Sequence, residues 1–291
     1  MCGITGILNF DKAKSIDIGL LNHMTDVLTH RGPDDRGVFI DNNLGLGFRR
    51  LSIIDLSSQA HQPMCNENET VYLVCNGEIY NFQELRKALE GKGHMFKSHT
   101  DIEVIIHAYE EYGAGCLEYL DGMFAFALWD RKKRELFLAR DRFGIKPLHY
   151  AYENGMFAFG SEIKALLCIP EITRDMDEQA LWNYCSLMHI PAPQTIYRDI
   201  KKFLPSQAMI IKEDGSRKTW QYWDIHIEEN DVKSEKEWIE ELSVLFECSI
   251  KTHLVADVPI GCFLSGGIDS SAITAYASKI KKEPIKTYSM S

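Results

Sequence analysis

The second residue of the sequence can bring a nucleophile and a base together on one amino acid. Cys2 follows the initiator methionine, and a cysteine is small enough for that methionine to be removed. The mature chain would then begin with a thiol of pKa about 8.5 and an α-amine of pKa about 7.7–8.0, which can take the thiol proton. Alternatively, Cys2 is simply a small buried hydrophobic residue.

Further positions carry the groups that hydrolysis of an amino acid's side-chain amide requires. Arg50 offers a guanidinium for the substrate carboxylate. Asn76 and Gly77 offer an amide side chain and a backbone N–H for a developing oxyanion. Asp101 offers a carboxylate for an ammonium group. The ordinary alternatives are a surface arginine, an Asn-Gly turn and an acid that complements a helix dipole.

A glycine-rich stretch lies near the end of the sequence. The pattern at residues 258–264 is typical of a strand, and the pattern at 271–281 is typical of a helix. Between them lies a tight loop, Ser265-Gly266-Gly267-Ile268-Asp269-Ser270. This order predicts a cradle of backbone N–H groups that can bind an anion. No Lys-Ser/Thr pair follows the glycines, so the common P-loop is excluded. A flexible turn is the alternative.

Hydrophobic periodicity predicts the elements that position these groups. Helices are expected at 17–29, from Asn81 and from Thr100, where Glu84 and Glu103 complete capping patterns, and from Ser234, where Glu237 completes a capping box. Strands are expected at 4–10, 37–41, 44–48, 71–75, 122–130, 135–140, 147–152, 156–160 and 285–290, with hairpin turns at 154–155 and 214–215. Strands, helices and more strands predict an α+β fold of antiparallel sheets flanked by helices.

Composition narrows the class of protein. The net charge of −10 and the pI near 5.5 argue against an extended surface for nucleic acid or anionic membranes. The eight cysteines form no C-x-x-C pair and no zinc-site spacing. The sequence shows neither a signal peptide nor a long apolar run, so we expect a cytoplasmic protein with reduced thiols. Its 291 residues favour two domains.

Several motifs, taken together and in order, resemble the class II, N-terminal-nucleophile glutamine amidotransferases. The resemblance spans nearly all of residues 2–165. The motifs are Met1-Cys2-Gly3-Ile4, His30-Arg31-Gly32-Pro33-Asp34, Arg50-Leu51-Ser52-Ile53, Asn76-Gly77-Glu78-Ile79-Tyr80-Asn81, Thr100-Asp101, Asp121-Gly122-Met123-Phe124-Ala125-Phe126-Ala127 and Arg140-Asp141-Arg142-Phe143-Gly144-Ile145-Lys146-Pro147-Leu148.

This resemblance implies a four-layer αββα sandwich in which removal of Met1 exposes Cys2 as the nucleophile. It also implies that Asn76 and Gly77 form the oxyanion hole, that Arg31 lies near the pocket and that Arg140-Asp141 is a structural loop. No cofactor or metal is expected for glutamine hydrolysis. The residues implied to bind glutamine are Arg50, Leu51, Ser52, Ile53, Ile54, Asn76, Gly77, Glu78 and Asp101.

The 265–270 loop is similar to the PP-loop of ATP pyrophosphatases, and the whole order is similar to glutamine-hydrolysing asparagine synthetases. Residues 189–197 and 220–223 continue this match. The family reaction converts aspartate, glutamine and ATP into asparagine, glutamate, AMP and pyrophosphate, with ammonia passing through a tunnel. The residues implied to hold the pyrophosphate of ATP, with Mg²⁺, are Leu264, Ser265, Gly266, Gly267, Asp269 and Ser270.

We therefore expect an amidotransferase domain at 2–165, a connection at 166–233 and the incomplete start of an α/β PP-loop synthetase domain at 234–291. One βαβ unit does not complete a doubly wound sheet. We accordingly expect a truncated chain that hydrolyses glutamine at best. An unfinished sheet edge favours self-association, so a homodimer or other homo-oligomer is expected.

Three alternatives remain open at this stage. The first is an amidotransferase that makes phosphoribosylamine or amino sugars, although such enzymes lack the 265–270 loop. The second is an asparagine-synthetase-like enzyme that amidates or cyclises another carboxylate. The third is an inactive scaffold remnant that binds glutamine without turnover.

Overall fold

Antiparallel strands form the framework of the first 221 residues. The computed structural model describes residues 1–228, 233–281 and 284–290, and the chain divides into two compact units. The first unit comprises Met1–Ser52 and Ser57–Asp224, and the second comprises Ile53–Leu56 and Ile225–Ser291. The first unit therefore holds the residues around Cys2, and the second holds the 265–270 loop.

The described strands of the first unit form two antiparallel sheets of six strands each. In chain order they are β1 (Gly3–Asn9), β2 (Asp35–Asp41), β3 (Leu44–Arg50), β4 (Met64–Cys65), β5 (Val71–Ile79), β6 (Gly122–Asp130), β7 (Glu135–Arg140), β8 (His149–Glu153), β9 (Met156–Gly160), β10 (Ile200–Lys202), β11 (Gln207–Lys212) and β12 (Arg217–Gln221). The first sheet has the order β10-β8-β9-β1-β3-β2, and the second has the order β12-β11-β7-β6-β5-β4.

Helices cover the outer face of each sheet. In chain order, the helices of the first unit are α1 (Ile18–Asp26), α2 (Phe82–Glu90), α3 (Glu103–Tyr112), α4 (Ile163–Leu166) and α5 (Glu178–Leu187). One core cluster joins the first sheet to α1 and α4, a second lies between the two sheets, and a third joins the second sheet to α2 and α3. The order of layers is therefore αββα, and the predicted α+β sandwich is confirmed.

The first strand shows why an apolar start of the chain becomes a central strand. All seven residues of β1 are buried, and the strand pairs with β3 on one side and β9 on the other. Ile4 and Leu8 belong to the cluster between the sheets, whereas Ile7 belongs to the cluster under α1 and α4. This alternation follows from the two-residue period of a strand. It places Cys2 at the end of a strand enclosed on both faces.

Two predicted helix caps differ from the structure in the contacts that their side chains make. Asn81 precedes α2 but makes no capping bond; its Nδ2 donates to Tyr119 O at 2.9 Å instead. Thr100 donates to Asp101 Oδ1 at 3.1 Å. Glu103, expected at the third helical position, is the first residue of α3. Both helices exist where the periodicity predicts them. The Asn81 cap was wrong, whereas the Thr100 hydroxyl accepts the N–H of Ile102 at 3.5 Å, one residue before α3 begins.

Part of the 166–233 stretch, which was predicted to be a connection between domains, belongs to the two sheets. β10 pairs with β8 at the edge of the first sheet. β11 pairs with β7, and β12 extends the second sheet beyond it. The predicted hairpin turn at 214–215 lies between β11 and β12, and Gly215 has a φ of 83° there, which an L side chain rarely adopts.

The second unit contains a parallel β-loop-α-β arrangement. Its elements are α6 (Glu235–His253), β13 (Gly261–Phe263), α7 (Ile268–Lys281) and β14 (Lys286–Tyr288), and β13 pairs in parallel with β14. The predicted capping box at Ser234 and Glu237 is confirmed by both of its hydrogen bonds. None of the helices in the described part of the chain has the length and apolar content to cross a membrane.

Candidate active site

The thiol of Cys2 lies beside the residue that follows β3. Gly3 pairs with Arg49 across the β1–β3 ladder, so the residue before β1 meets the residues just beyond Arg50. The backbone N–H of Leu51 donates to Cys2 Sγ at 3.4 Å, and Leu51 O lies 3.7 Å from the same sulfur. The antiparallel pairing therefore brings the two predicted motifs, around Cys2 and around Arg50, into contact.

Burial and nearby cations act in opposite directions on the Cys2 thiol. Burial raises its pKa, while the Leu51 N–H, the terminal amine, Lys146 and Arg50 each lower it. Burial also lowers the pKa of the terminal amine, carried in this structure by Met1. A lowered amine pKa means that more of the amine is neutral near pH 7 and can accept a proton.

Arg31 anchors the backbone of the nucleophile candidate. Its Nε donates to Cys2 O at 2.8 Å, and its Nη1 donates to Glu162 Oε1 at 2.9 Å. Glu162 follows β9 and has its pKa lowered to about 2: burial would raise it, but the hydrogen bonds from Arg31 and His30 outweigh that effect. Arg31 thus connects the start of β1 to the end of β9. The resemblance had implied only that Arg31 lies near the pocket.

Asn76 and Gly77 lie within β5, which excludes the alternative of an Asn-Gly turn. Asn76 pairs with Ala125 and Gly77 with Phe124. Val74 belongs to the cluster between the sheets, against which Cys2 also packs. Because side chains two residues apart share a face of a strand, Asn76 points into the same layer as Val74.

The side chain of Asn76 carries an unmet hydrogen-bond donor. Asn76 is only 1% exposed, and among the described residues its Nδ2 has no hydrogen-bond partner. A buried donor without a partner costs roughly 1–3 kcal/mol of stability. A substrate oxygen in this layer would supply the missing acceptor, which is the chemistry of an oxyanion hole.

Asp101 is a buried carboxylate attached to the end of β5. Its Oδ2 accepts the N–H of Ile79 at 2.7 Å, and its Oδ1 accepts the Thr100 hydroxyl. Burial raises the pKa of Asp101 to about 6, with the charge of Glu78 adding to the rise and the Ile79 N–H opposing it. Two neighbouring carboxylates in a buried place suit an ammonium ion. Asp101 also precedes α3 rather than lying in its first turn.

Arg50 is buried, contrary to the surface alternative. It is 6% exposed, it ends β3, and its Nη1 donates to Ser57 O at 3.2 Å. The next residues run along the chain towards the second unit: Ser52 N donates to Asp34 Oδ2 at 2.8 Å, whereas Ile53 and Ile54 belong to the second unit. The structure thus groups Arg50, Leu51 and Ser52 with the unit that contains Cys2.

The 141–146 loop holds a lysine whose contribution sequence reasoning missed. The buried carboxylate of Asp141 accepts four backbone N–H groups, those of Phe124, Phe143, Ile145 and Lys146. Lys146 is 6% exposed, and its charge lowers the pKa of the Cys2 thiol. The motif at 140–148 predicted only the resemblance to the amidotransferase family. Nothing in the local sequence signals that this lysine is a buried cation near the sulfur.

In the second unit, the glycine-rich loop connects β13 to the first turn of α7. Gly266 has a φ of 84°, which favours glycine. Ser265 N donates to Ser270 Oγ at 3.3 Å, and Ser270 Oγ donates to Gly267 O at 3.2 Å. Leu264 N donates to Tyr288 O on β14, and Asp269 lies in the first turn of α7. A strand, a glycine loop and a helix N-terminus form an arrangement that can bind phosphate groups.

Comparisons with known sequences find matches to both units of the chain. The family model described as "Glutamine amidotransferase domain" matches residues 1–223, and the one described as "Asparagine synthase" matches residues 241–291. Asparagine synthetase [glutamine-hydrolyzing] 3 of Bacillus subtilis is 40% identical over 297 residues, covering 100% of this chain and 48% of the relative. Amidase chyE of Penicillium rubens is 33% identical, covering 98% of this chain and 44% of the relative.

One further relative and one solved structure are also similar to this chain. A putative asparagine synthetase [glutamine-hydrolyzing] 2 of Methanocaldococcus jannaschii is 36% identical, covering 94% of this chain and 56% of the relative. The chain thus spans about half the length of these curated relatives. The structure of a glutamine phosphoribosylpyrophosphate amidotransferase from B. subtilis has a TM-score of 0.55 at 16% identity, covering 99% of this chain and 65% of that chain, a likeness of fold alone. With residues 1–223 of 291 matched by the amidotransferase model, the chain belongs to the glutamine amidotransferase domain family.

Proposed function

We propose that the first unit hydrolyses glutamine, with Cys2 as the nucleophile once Met1 has been removed. The observation that carries this proposal is the buried Nδ2 of Asn76, which has no hydrogen-bond partner in the part of the chain that the structure describes. It points into the layer where the Cys2 side chain packs. An orphaned donor beside a thiol is what a site for a developing oxyanion needs. A remnant that binds glutamine without turnover would use the same donor, so the two readings are separated by measuring turnover.

The proposed reaction uses one base twice. The α-amine of Cys2 takes the thiol proton, and the sulfur attacks the side-chain amide carbon of glutamine. The Asn76 amide and the Gly77 N–H stabilise the oxyanion of the tetrahedral intermediate. The protonated amine gives its proton to the leaving nitrogen, which departs as ammonia and leaves a thioester. Water, deprotonated by the same amine, then releases glutamate and restores the thiol.

The two charged ends of glutamine define its orientation. We assign the α-carboxylate to Arg50 with the backbone of Leu51 and Ser52, because this buried guanidinium lies on the residue before Leu51, whose N–H contacts the Cys2 sulfur. We assign the α-ammonium to Asp101, with Glu78 beside it, because the raised pKa of Asp101 reflects a buried negative charge that a cation would relieve. Ile53 and Ile54 remain sequence-based predictions for this pocket.

The second unit suits the ATP-dependent half of asparagine synthesis. We propose that Leu264, the loop at 265–267 and the start of α7 hold the pyrophosphate of ATP, with Asp269 providing one carboxylate near Mg²⁺. ATP supplies the adenylate that activates the acceptor carboxylate, and ammonia displaces AMP from it. The names of the relatives support aspartate as the acceptor and asparagine as the product. We keep residues 2–165 as the proposed bounds of the glutaminase activity and residues 234–291 as those of the ATP-dependent activity. That the protein forms a homo-oligomer stays a prediction.

A different acceptor is the second candidate. A relative named as an amidase is 33% identical over nearly the whole chain. Since the two halves of such an enzyme act on different substrates, the same glutaminase site can serve amidation of a carboxylate other than that of aspartate.

The test is glutamate release from glutamine by the chain with Met1 removed. We expect Cys2→Ala and a version with an uncleaved N-terminal extension to be inactive. Cys168→Ala is the matched control, because Cys168 is also partly buried in the first unit and its thiol donates to Lys164 O. Equal turnover by all versions would show that Cys2 is not the nucleophile, and equal inactivity would favour the scaffold alternative.

A further inference from the structure

Two histidines and a glutamate lie close together on α3 and on the segment that precedes it. His107 and Glu110 lie three residues apart on one face of α3, and His94 lies on the segment between α2 and α3. The ring centroids of the two histidines are 5.2 Å apart. We call His94, His107 and Glu110 the α3 cluster. It forms no part of the proposed glutamine site.

The donor atoms of the α3 cluster have separations close to those of a bound metal ion. Glu110 Oε2 lies 3.0 Å from His107 Nδ1 and 3.7 Å from His94 Nδ1. One ligand atom from each residue lies within 4.8 Å of the other two. In tetrahedral zinc sites, bond lengths of about 2.0–2.2 Å imply ligand–ligand separations of about 3.3–3.5 Å. The longest separation would have to shrink by at most about 1.5 Å.

A buried carboxylate lies near the second ring nitrogen of the histidine on α3. His107 is 1% exposed, and among the described residues its Nε2 has no hydrogen-bond partner. The nearest carboxylate oxygen, Glu103 Oε1, is 3.7 Å from this atom. Glu103 is itself held by the N–H groups of Lys97 and Ser98. A metal-bound histidine usually presents its other nitrogen to such a carboxylate.

The carboxylate of Glu110 is oriented in the same way. Asn66 Nδ2 donates to Glu110 Oε1 at 2.6 Å, which leaves Oε2 to face the two imidazoles. The side chains of His94 and Glu110 are 16% and 22% exposed, so an ion can reach the cluster from solvent. Glu111, 3.4 Å from His94 Nε2, adds negative charge nearby.

We propose that the α3 cluster binds one zinc-class divalent cation through His94, His107 and Glu110, with a fourth position open to water. Two imidazoles and one carboxylate form a donor set that zinc accepts. The ion would fasten the segment between α2 and α3 to the middle of α3. The competing arrangement is an imidazolium of His107 held between Glu103 and Glu110 without metal.

The test measures binding of zinc alone to the full chain by equilibrium dialysis. The protein carries Cys2→Ala, so that the exposed nucleophile does not compete for the ion. We expect one equivalent of zinc and a rise in melting temperature on adding it. His94→Gln and Glu110→Gln should each weaken binding at least tenfold and remove the thermal shift. His226→Gln, a change of an exposed histidine in the second unit, is the matched control and should bind as the parent does.

Cobalt(II) in place of zinc reports the donor atoms. Visible d–d bands typical of tetrahedral geometry, without strong sulfur-to-cobalt absorption in the near ultraviolet, support the α3 cluster. Strong sulfur absorption would assign the ion to cysteines and overturn the proposal. Unchanged zinc affinity in both cluster variants, or no binding by the parent, would also overturn it and favour the metal-free imidazolium. Melting curves without metal verify that each variant is folded.

Discussion

Replacing Asn76 by leucine should abolish activity and stabilise the fold at the same time. Leucine has nearly the same shape and needs no hydrogen bond, so it removes the unmet donor. The orphaned amide costs roughly 1–3 kcal/mol, and we expect the free energy of unfolding to rise by about 1 kcal/mol. Loss of an oxyanion donor should lower kcat by about 10²–10³-fold, equivalent to about 2.7–4 kcal/mol.

Asn43→Leu provides a control with the opposite expectation. Asn43 is fully buried like Asn76, but its Nδ2 donates to Asn9 O at 2.7 Å and its Oδ1 accepts Arg134 Nη2 at 3.1 Å. Removing it takes a donor from Asn9 O and an acceptor from Arg134, which keeps its ion pair with Glu213, so the free energy of unfolding should fall by about 1–3 kcal/mol. The turnover of each folded molecule should stay unchanged, because Asn43 lies in the β2–β3 turn.

Both variants are measured on the same preparations, by glutamate release at saturating glutamine and by thermal unfolding. For a unit of this size, 1 kcal/mol corresponds to a shift of about 2–4 °C in Tm. The reasoning is refuted if Asn76→Leu melts as far below the parent as Asn43→Leu does, or if its kcat stays within tenfold of the parent.

Three further predictions concern charge and backbone. Lys146→Met should raise the pKa of the Cys2 thiol and slow its alkylation near pH 7, since the thiolate fraction falls tenfold per pKa unit. Lys164→Met, on the exposed side of α4, should leave the alkylation rate unchanged. Equal alkylation rates in the two variants would contradict the role assigned to Lys146. For Asp101, whose pKa is raised to about 6, the charged form that binds ammonium is present above that pH. The KM for glutamine should therefore rise as pH falls through about 6. Asp101→Asn should raise KM at every pH and remove this inflection. An inflection that persists in the variant would exclude Asp101 as the group that binds the ammonium. Gly266→Ala should cost about 1–2 kcal/mol locally because of its positive φ, seen as faster hydrogen exchange at the start of α7, and unchanged exchange would argue against a strained loop.

Elements that depend on local pattern were predictable from the sequence. The apolar run after Cys2, the turn at 154–155 and the capping box at Ser234 each contain their own signal, and the structure has β1, the β8–β9 hairpin and α6 there. The order of strands and helices was sufficient to predict antiparallel sheets flanked by helices, whereas the four-layer sandwich was implied by the family resemblance. Motif spacing was also sufficient to predict the family.

Features that depend on tertiary partners were not predictable. Asn81 has the right type for a cap, but its side chain donates to Tyr119 O, 38 positions along the chain. The pairing of β11 with β7 joins residues about seventy positions apart, which no local pattern reports. The same holds for Lys146, whose burial depends on the Asp141 loop.

The α3 cluster illustrates this limit most clearly. His94 and His107 are thirteen positions apart and match no familiar spacing for metal ligands, so a scan for motifs excludes a zinc site. Only the packing of the preceding segment against α3 brings the two rings together. A site assembled by packing is visible in coordinates and not in spacing.

The position of β1 has a consequence for synthesis on the ribosome. This strand is flanked by β3 and by β9, whose residues are translated some 150 codons later. At translation rates of about 5–20 residues per second, roughly 8–30 s pass before both neighbours of the N-terminal strand have been made. Once it has emerged from the ribosome within that interval, the nascent N-terminus is not yet enclosed by both neighbours, so excision of Met1 can precede the enclosure of the thiol.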